Sequence, residues 1–157
     1  MIAIDPGSSS GAIAVKKRYG TEIKVFNMPD DPRGILEFLR AYMPMMHSVV
    51  MEDVGHGFPG NSAKSMFTFA KHRGHLDMAL IACDMVPTLV LPTVWMHQLY
   101  GDALPKGQKK DDTKARKDYI YNDMVVRYPS VNVTKRNADA LALMTWGLTT
   151  SEHPEAL

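Results

Sequence analysis

Three acidic residues stand where a chain could use them together. Asp5 closes the apolar run MIAID and is followed by the small-residue segment PGSSSG. Glu52 closes a second apolar run, VVME, in the same position relative to its own hydrophobic residues. Asp139 lies in NADALALM, about one turn from Asn137, which reads as the N-cap of a terminal helix. Each alone has an ordinary structural explanation, since an Asp can start a turn or sit favourably at a helix N-terminus. Gathered at one point, the three would repel strongly unless a cation neutralised them. Oxygen-only donors suit Mg2+ or Mn2+, and neither a thiolate pair nor an HExxH spacing argues for zinc. Two such ions about 4 Å apart activate water and stabilise the departing oxygen in phosphodiester hydrolysis. Asp5 would be the shared ligand, with the glycines and serines of PGSSSG leaving room beside it for a phosphate backbone.

The elements that must position these residues are legible from periodicity and punctuation. Residues 2–5, 11–17 and 22–28 read as three strands of a meander, the second turn carrying Gly20. After MPDDPRG, Ile35, Leu36, Leu39, Tyr42 and Met43 repeat at helical spacing. SVVMEDV is the next strand, and residues 62–83 form a long helix carrying Met66, Phe69, Ala70, Leu76, Leu80 and Ile81. TLVLP is a fifth strand. A short helix around 94–99, a basic linker, a helix over about 112–127 and a last helix over about 137–149 complete the chain, with SEHPEAL as a frayed tail. This order predicts an α/β fold, a mixed five-stranded sheet with helices on both faces, in one domain spanning 1–157. In an open α/β sheet ligands sit at the carboxyl ends of the strands, which is where Asp5 and Glu52 fall if their strands are parallel neighbours.

Composition narrows the class. A chain of 157 residues, 45% of them hydrophobic, can bury a core without staples, and its one cysteine, Cys83, cannot form an internal disulfide. No run is long enough to span a membrane, and MIAID lacks the pattern of a signal peptide, so a cytoplasmic protein is expected. The net charge of +1 conceals the segment KGQKKDDTKARK, where six basic side chains face two acidic ones. Such a patch attracts a phosphate backbone, or is a solvated loop and helix face. Lys109, Lys110, Lys114 and Lys117 are its candidate nucleic-acid contacts.

Together, IAIDPGSSSGAIAV, VVMEDVGHGF, FAKHRGHLDMAL and NADALALMTWG resemble, in order and over about nine-tenths of the chain, the RuvC family of Holliday junction resolvases. The resemblance implies the ribonuclease H-like fold and a homodimer that binds a four-way DNA junction and makes paired, magnesium-dependent nicks. The short, diverged chain is more similar to the resolvases of bacterial viruses than to a housekeeping enzyme. Asp5, Glu52 and Asp139 match three of the family's acidic metal ligands. A fourth, Asp or His, is usual one turn before the last aspartate. Here Arg136 holds that place, and Asn137 beside it offers at best an amide oxygen. Phe58 matches an aromatic that the family uses against bases near the crossover, and a ring between HG and PGN is suited to stacking on an opened base. In PTVWMHQLYG, Met96 stands where a lysine is common, so that role passes to Lys109, Lys110 or Lys114, or is dispensed with.

Other residues admit two uses. Ala70, Gly74 and Met78 form a small-residue stripe that packs on the sheet or on a second subunit, whose two-fold symmetry would match that of a junction. Arg73 binds phosphate or covers the wet side of its helix. His56 donates to phosphate or is solvated, and His72 and His75 read as surface residues. Trp95, Met96 and Trp146 read as packing, and Cys83 as a small apolar filler. Rival functions are a nuclease of the same fold acting on flaps, forks or RNA–DNA hybrids, and a non-catalytic junction-binding protein. An actin-like ATPase is disfavoured by the short chain and the missing second phosphate loop, so no nucleotide cofactor is expected.

Overall fold

The computed structural model describes residues 1–45, 48–54, 62–105 and 110–152, the side chains of Met45, Lys110, Asp111 and Glu152 excepted. Five strands, β1 (Ile2–Asp5), β2 (Ala12–Lys16), β3 (Ile23–Asn27), β4 (Val49–Glu52) and β5 (Thr88–Val90), form one sheet in the order β3-β2-β1-β4-β5. The meander β1–β2–β3 is antiparallel, and β1, β4 and β5 run parallel. The strand that ends in Asp5 is therefore central, and the strand that ends in Glu52 is its parallel neighbour, with Ile4 opposite Met51. Five helices are described: α1 (Pro32–Tyr42), α2 (Ala63–Ile81), α3 (Pro92–Tyr100), α4 (Lys110–Arg127) and α5 (Ala138–Glu152).

Side-chain alternation divides the core in two. Ile2 and Ile4 of β1, Ile13 and Val15 of β2, and Val49 and Met51 of β4 point to one face, where Ile35 and Leu39 of α1 and Leu76, Ala79 and Leu80 of α2 cover them. The opposite face carries Ala3, Ala12, Ala14, Val50 and Val90, packed against α5 together with Trp95 of α3 and Ile120 and Met124 of α4. Alanine rather than isoleucine on this face lets α5 approach closely. Gly147 marks how closely, because a Cβ there would lie 2.9 Å from Met1 Sδ and 3.1 Å from Val50 Cγ2.

Local signals set the helix ends. The Asp31 carboxylate accepts from the backbone N–H groups of Arg33 and Gly34, with Pro32 opening α1. Ser62 caps α2 by accepting from the Ser65 N–H. α3 starts at Pro92 and stops at Gly101, whose φ of +56° suits a residue without a Cβ.

The long helix departs from its expected burial. His72, Leu76, Ala79 and Leu80 are its buried residues, whereas Met66, Ala70 and Ile81 are exposed. Its apolar residues encircle the helix, so the sequence could not tell which stripe faces the core. His72 is thus a core residue and not a surface one, and burial, then His75, lowers its pKa. Cys83 is buried as the expected apolar filler, and burial raises its pKa.

Candidate active site

The same alternation that builds the core aims the carboxylates. Ala3 faces α5, so Asp5, two residues on, does as well. Val50 faces α5, and so does Glu52. Asp139 comes to this face in the first turn of α5, the helix that packs on β1. Three residues separated by up to 134 positions therefore share one crevice at the carboxyl ends of two adjacent parallel strands.

The loop after Asp5 also has a structural job. A Cβ on Gly11 would come within 2.5 Å of Gly7 N and O and 2.6 Å of Asp5 O, and the Gly11 N–H donates to Gly7 O at 3.0 Å. The glycines let the chain fold back onto the end of β1, which fixes the backbone that carries Asp5. Arg136, in the place of a fourth acidic ligand, turns the same way: its Nε donates to Gly11 O at 3.4 Å. Asn137 is buried, but its amide oxygen already accepts from the Thr134 N–H at 2.8 Å and its amide nitrogen donates to Asn132 O at 3.1 Å. It secures the turn into α5 and does not offer its oxygen to the crevice.

Electrostatics mark the crevice as short of positive charge. Burial pushes Asp5 well above the usual carboxylate range, Glu52 and Asp139 add repulsion, and Lys117 opposes the rise. Burial also carries Glu52 from 4.5 to about 7; the hydrogen bond from Trp95 opposes this, Asp139 adds to it, and Lys117 and Arg116 oppose it. Asp139 is raised by burial against the pull of Lys117 and Arg116. Carboxylates held in this way take up protons or a cation, since the protein alone does not balance their charge.

Trp95 is the residue that the sequence reading missed. It is fully buried, as packing requires, yet its indole Nε1 donates to Glu52 Oε2 at 2.8 Å. The available signal was general: a buried indole N–H needs an acceptor. Trp146 obeys the same rule by donating to Gln98 Oε1 at 2.6 Å. Met96 is partly buried against the same core and, as a thioether, brings no positive charge.

The basic candidates separate. Lys117 is exposed, and its charge is felt by all three carboxylates, with Arg116 acting on two of them. Lys114 is exposed on the same helix. Arg73 is engaged by Asp53 at 3.5 Å and Asp77 at 3.0 Å, which ties α2 to the residue after Glu52. Phe58, His56 and Lys109, and the side chain of Lys110, lie outside the described residues.

Among the described residues, no group of three His, Cys, Asp or Glu side chains is drawn together closely enough to hold a metal ion as it stands. The donor set nonetheless fits a hard divalent cation: three carboxylates share one crevice, burial raises the protonation of each in its absence, and repulsion adds to this at Asp5 and Glu52.

No protein-family model and no curated protein sequence matches the chain. Solved structures do. A Thermus thermophilus RuvC structure superposes with a TM-score of 0.60 at 16% identity, covering 97% of this chain and 96% of that one. The fold is that of RuvC. A second T. thermophilus RuvC structure, in complex with Holliday junction substrate, gives a TM-score of 0.62 at 15% identity over 97% and 95% of the two chains. The RuvC-like, ribonuclease H-like architecture thus extends over nearly the whole chain. Among the described residues, no helix is long and apolar enough to cross a membrane.

Proposed function

We propose that this protein is a divalent-metal-dependent endonuclease that resolves four-way DNA junctions by paired, symmetric phosphodiester hydrolysis. The observation that carries the reading is the convergence of Asp5, Glu52 and Asp139 on one face at the ends of β1 and β4, on a RuvC-like sheet. These three carboxylates would hold Mg2+, or Mn2+ in its place, at two ions per site. Such ions, when bound, supply the positive charge that polarises a scissile phosphate and lowers the pKa of an attacking water. Asp5 is fixed by the central strand and by the Gly7–Gly11 fold-back, and Glu52 by Trp95. Lys117 and Arg116 add positive charge on the open side, where the phosphate backbone would approach. From the sequence, Lys109, Lys110 and Lys114 would add phosphate contacts and Phe58 would stack on a base near the crossover, whereas Arg73 would have to leave Asp53 and Asp77 to reach a phosphate.

A whole-chain homodimer, each subunit one domain of 157 residues, would present one centre to each of two equivalent strands. The exposed side of α2 supports this: Phe67, Met78 and Ile81 are 71%, 63% and 64% exposed, next to exposed Ala70 and Gly74. Hydrophobic residues grouped on one helix face need a covering partner.

The reading is tested by nicking assays on four-way, three-way, Y-shaped and linear duplexes, and on an RNA–DNA hybrid, with Mg2+, Mn2+ or EDTA. Metal-dependent incision confined to the four-way junction is expected. Preferred cleavage of flaps, forks or hybrids would move the protein to another nuclease class on this fold. Junction binding without cleavage in either metal would make it a structural binder.

A further inference from the structure

Trp95 has a chemistry that packing alone does not require. Its ring is fully buried in the cluster that joins the sheet to α4 and α5. Its N–H, however, leaves that apolar surround to meet a carboxylate oxygen 43 residues away in sequence. An indole N–H can only donate, so it engages one oxygen of Glu52 and offers it no alternative partner. Nor can the ring swing aside, because it is packed on a helix pinned at a second point. One turn on from Trp95, Gln98 accepts from Trp146 Nε1 at 2.6 Å. α3 therefore bridges the strand that ends in Glu52 and the helix that carries Asp139.

We propose that Trp95 is a positioning residue, whose indole N–H holds Glu52 in a single orientation with Oε2 engaged, so that Oε1 is the oxygen presented to a divalent cation. The proposal rests on the reading of Asp5, Glu52 and Asp139 as metal-binding carboxylates. It explains how Glu52, a side chain with three rotatable bonds, keeps a defined place in a crevice that its neighbours' charge would push it out of. Partners that orient a metal ligand from behind typically alter affinity by about 10-fold to 100-fold when removed.

The test is a Mn2+ titration by calorimetry on the full chain, as wild type, Trp95→Phe, Glu52→Gln and the double variant. Trp95→Phe keeps an aromatic ring in the core and deletes the donor. Its Mn2+ affinity is expected to fall about 10-fold or more. In the Glu52→Gln background the same change is expected to have no further effect, because the carboxylate it orients is gone. Wild-type affinity in Trp95→Phe, or an equal loss in both backgrounds, would overturn the proposal, since a merely structural role predicts equal losses.

Because Trp95→Phe could fold poorly, a second measurement avoids it. The 15N-indole resonance of Trp95, assigned with the help of Trp146→Phe, is followed in metal-free wild type and Glu52→Gln. Glu52→Gln is expected to move the Trp95 signal and leave that of Trp146 in place. A Trp95 signal indifferent to Glu52→Gln overturns the proposal. A wild type that binds no Mn2+, with the indole signal still responsive, overturns the metal-binding reading and with it what Trp95 is positioned for.

Discussion

Glu52→Gln should stabilise the metal-free protein at pH 8 while removing its cleavage activity. Burial carries Glu52 from 4.5 to about 7, so its ionised form is disfavoured in the folded state. That gap, at about 1.4 kcal/mol for each pH unit, comes to about 3 kcal/mol of stability forgone at alkaline pH. The folded state binds more protons than the unfolded state between about pH 4.5 and pH 7, so stability falls as pH rises through this window and is level above it. Gln keeps an oxygen for the Trp95 N–H and carries no charge, so it escapes most of the penalty. Allowing for side-chain relaxation and residual solvation, a gain of about 2 kcal/mol is expected at pH 8, or about 4–8 °C in Tm for a chain of this size. At pH 4.5 the two proteins should nearly coincide. The assay is urea unfolding in EDTA at half-unit steps from pH 4.5 to 8. Magnesium should then reverse the order, since it stabilises the form that binds it. An equal difference at pH 4.5 and pH 8, or no gain at pH 8, would refute the reasoning that Glu52 is a desolvated carboxylate awaiting a cation.

Gly11→Ala should destabilise the fold by several kcal/mol, roughly 3 or more, measured by the same unfolding curves, because its Cβ would strike backbone atoms at 2.5–2.6 Å that cannot yield cheaply. Replacing Lys109, Lys110 and Lys114 together by Ala should weaken junction binding irrespective of sequence and flatten its dependence on salt by up to about three counterions, as read from affinities at several salt concentrations. Lys117→Ala should lower cleavage more than the triple change lowers it at saturating DNA, because its charge reaches all three carboxylates; single-turnover rates check this. Met78→Glu, on the exposed side of α2, should shift the protein to monomer in sedimentation and abolish paired incision, with far-UV circular dichroism unchanged.

Much of the site was legible because a strand's two-residue period is unforgiving. Once β1 and β4 are recognised and set parallel, placing Ala3 and Val50 on one face also places Asp5 and Glu52 there. The start of α2 was legible at Ser62, which acts locally, whereas the helix expected around 94–99 runs from Pro92 to Tyr100. What stayed hidden depends on contacts between distant elements. The orientation of α2 was ambiguous because its apolar residues lie all round, so that His72 went inside and Met78 outside. The partner of Trp95 follows from the way α3 seats against the sheet, which no local pattern encodes. Lys117 was read only as part of a basic segment, and its reach to the carboxylates comes from the packing of α4 against α5.

The central claim is that one carboxylate centre per subunit makes paired cuts across a junction. It is tested most directly on a supercoiled plasmid that extrudes a cruciform, with wild type and Asp5→Asn compared in Mg2+. Two incisions within the lifetime of one complex yield linear plasmid directly. Wild type is expected to give that product with little nicked circle, and Asp5→Asn to bind the cruciform and leave it uncut, losing on the order of 1,000-fold or more in rate. Nicked circle accumulating ahead of linear product would contradict the paired mechanism, and cutting by Asp5→Asn within a few-fold of wild type would contradict the assignment of the site itself.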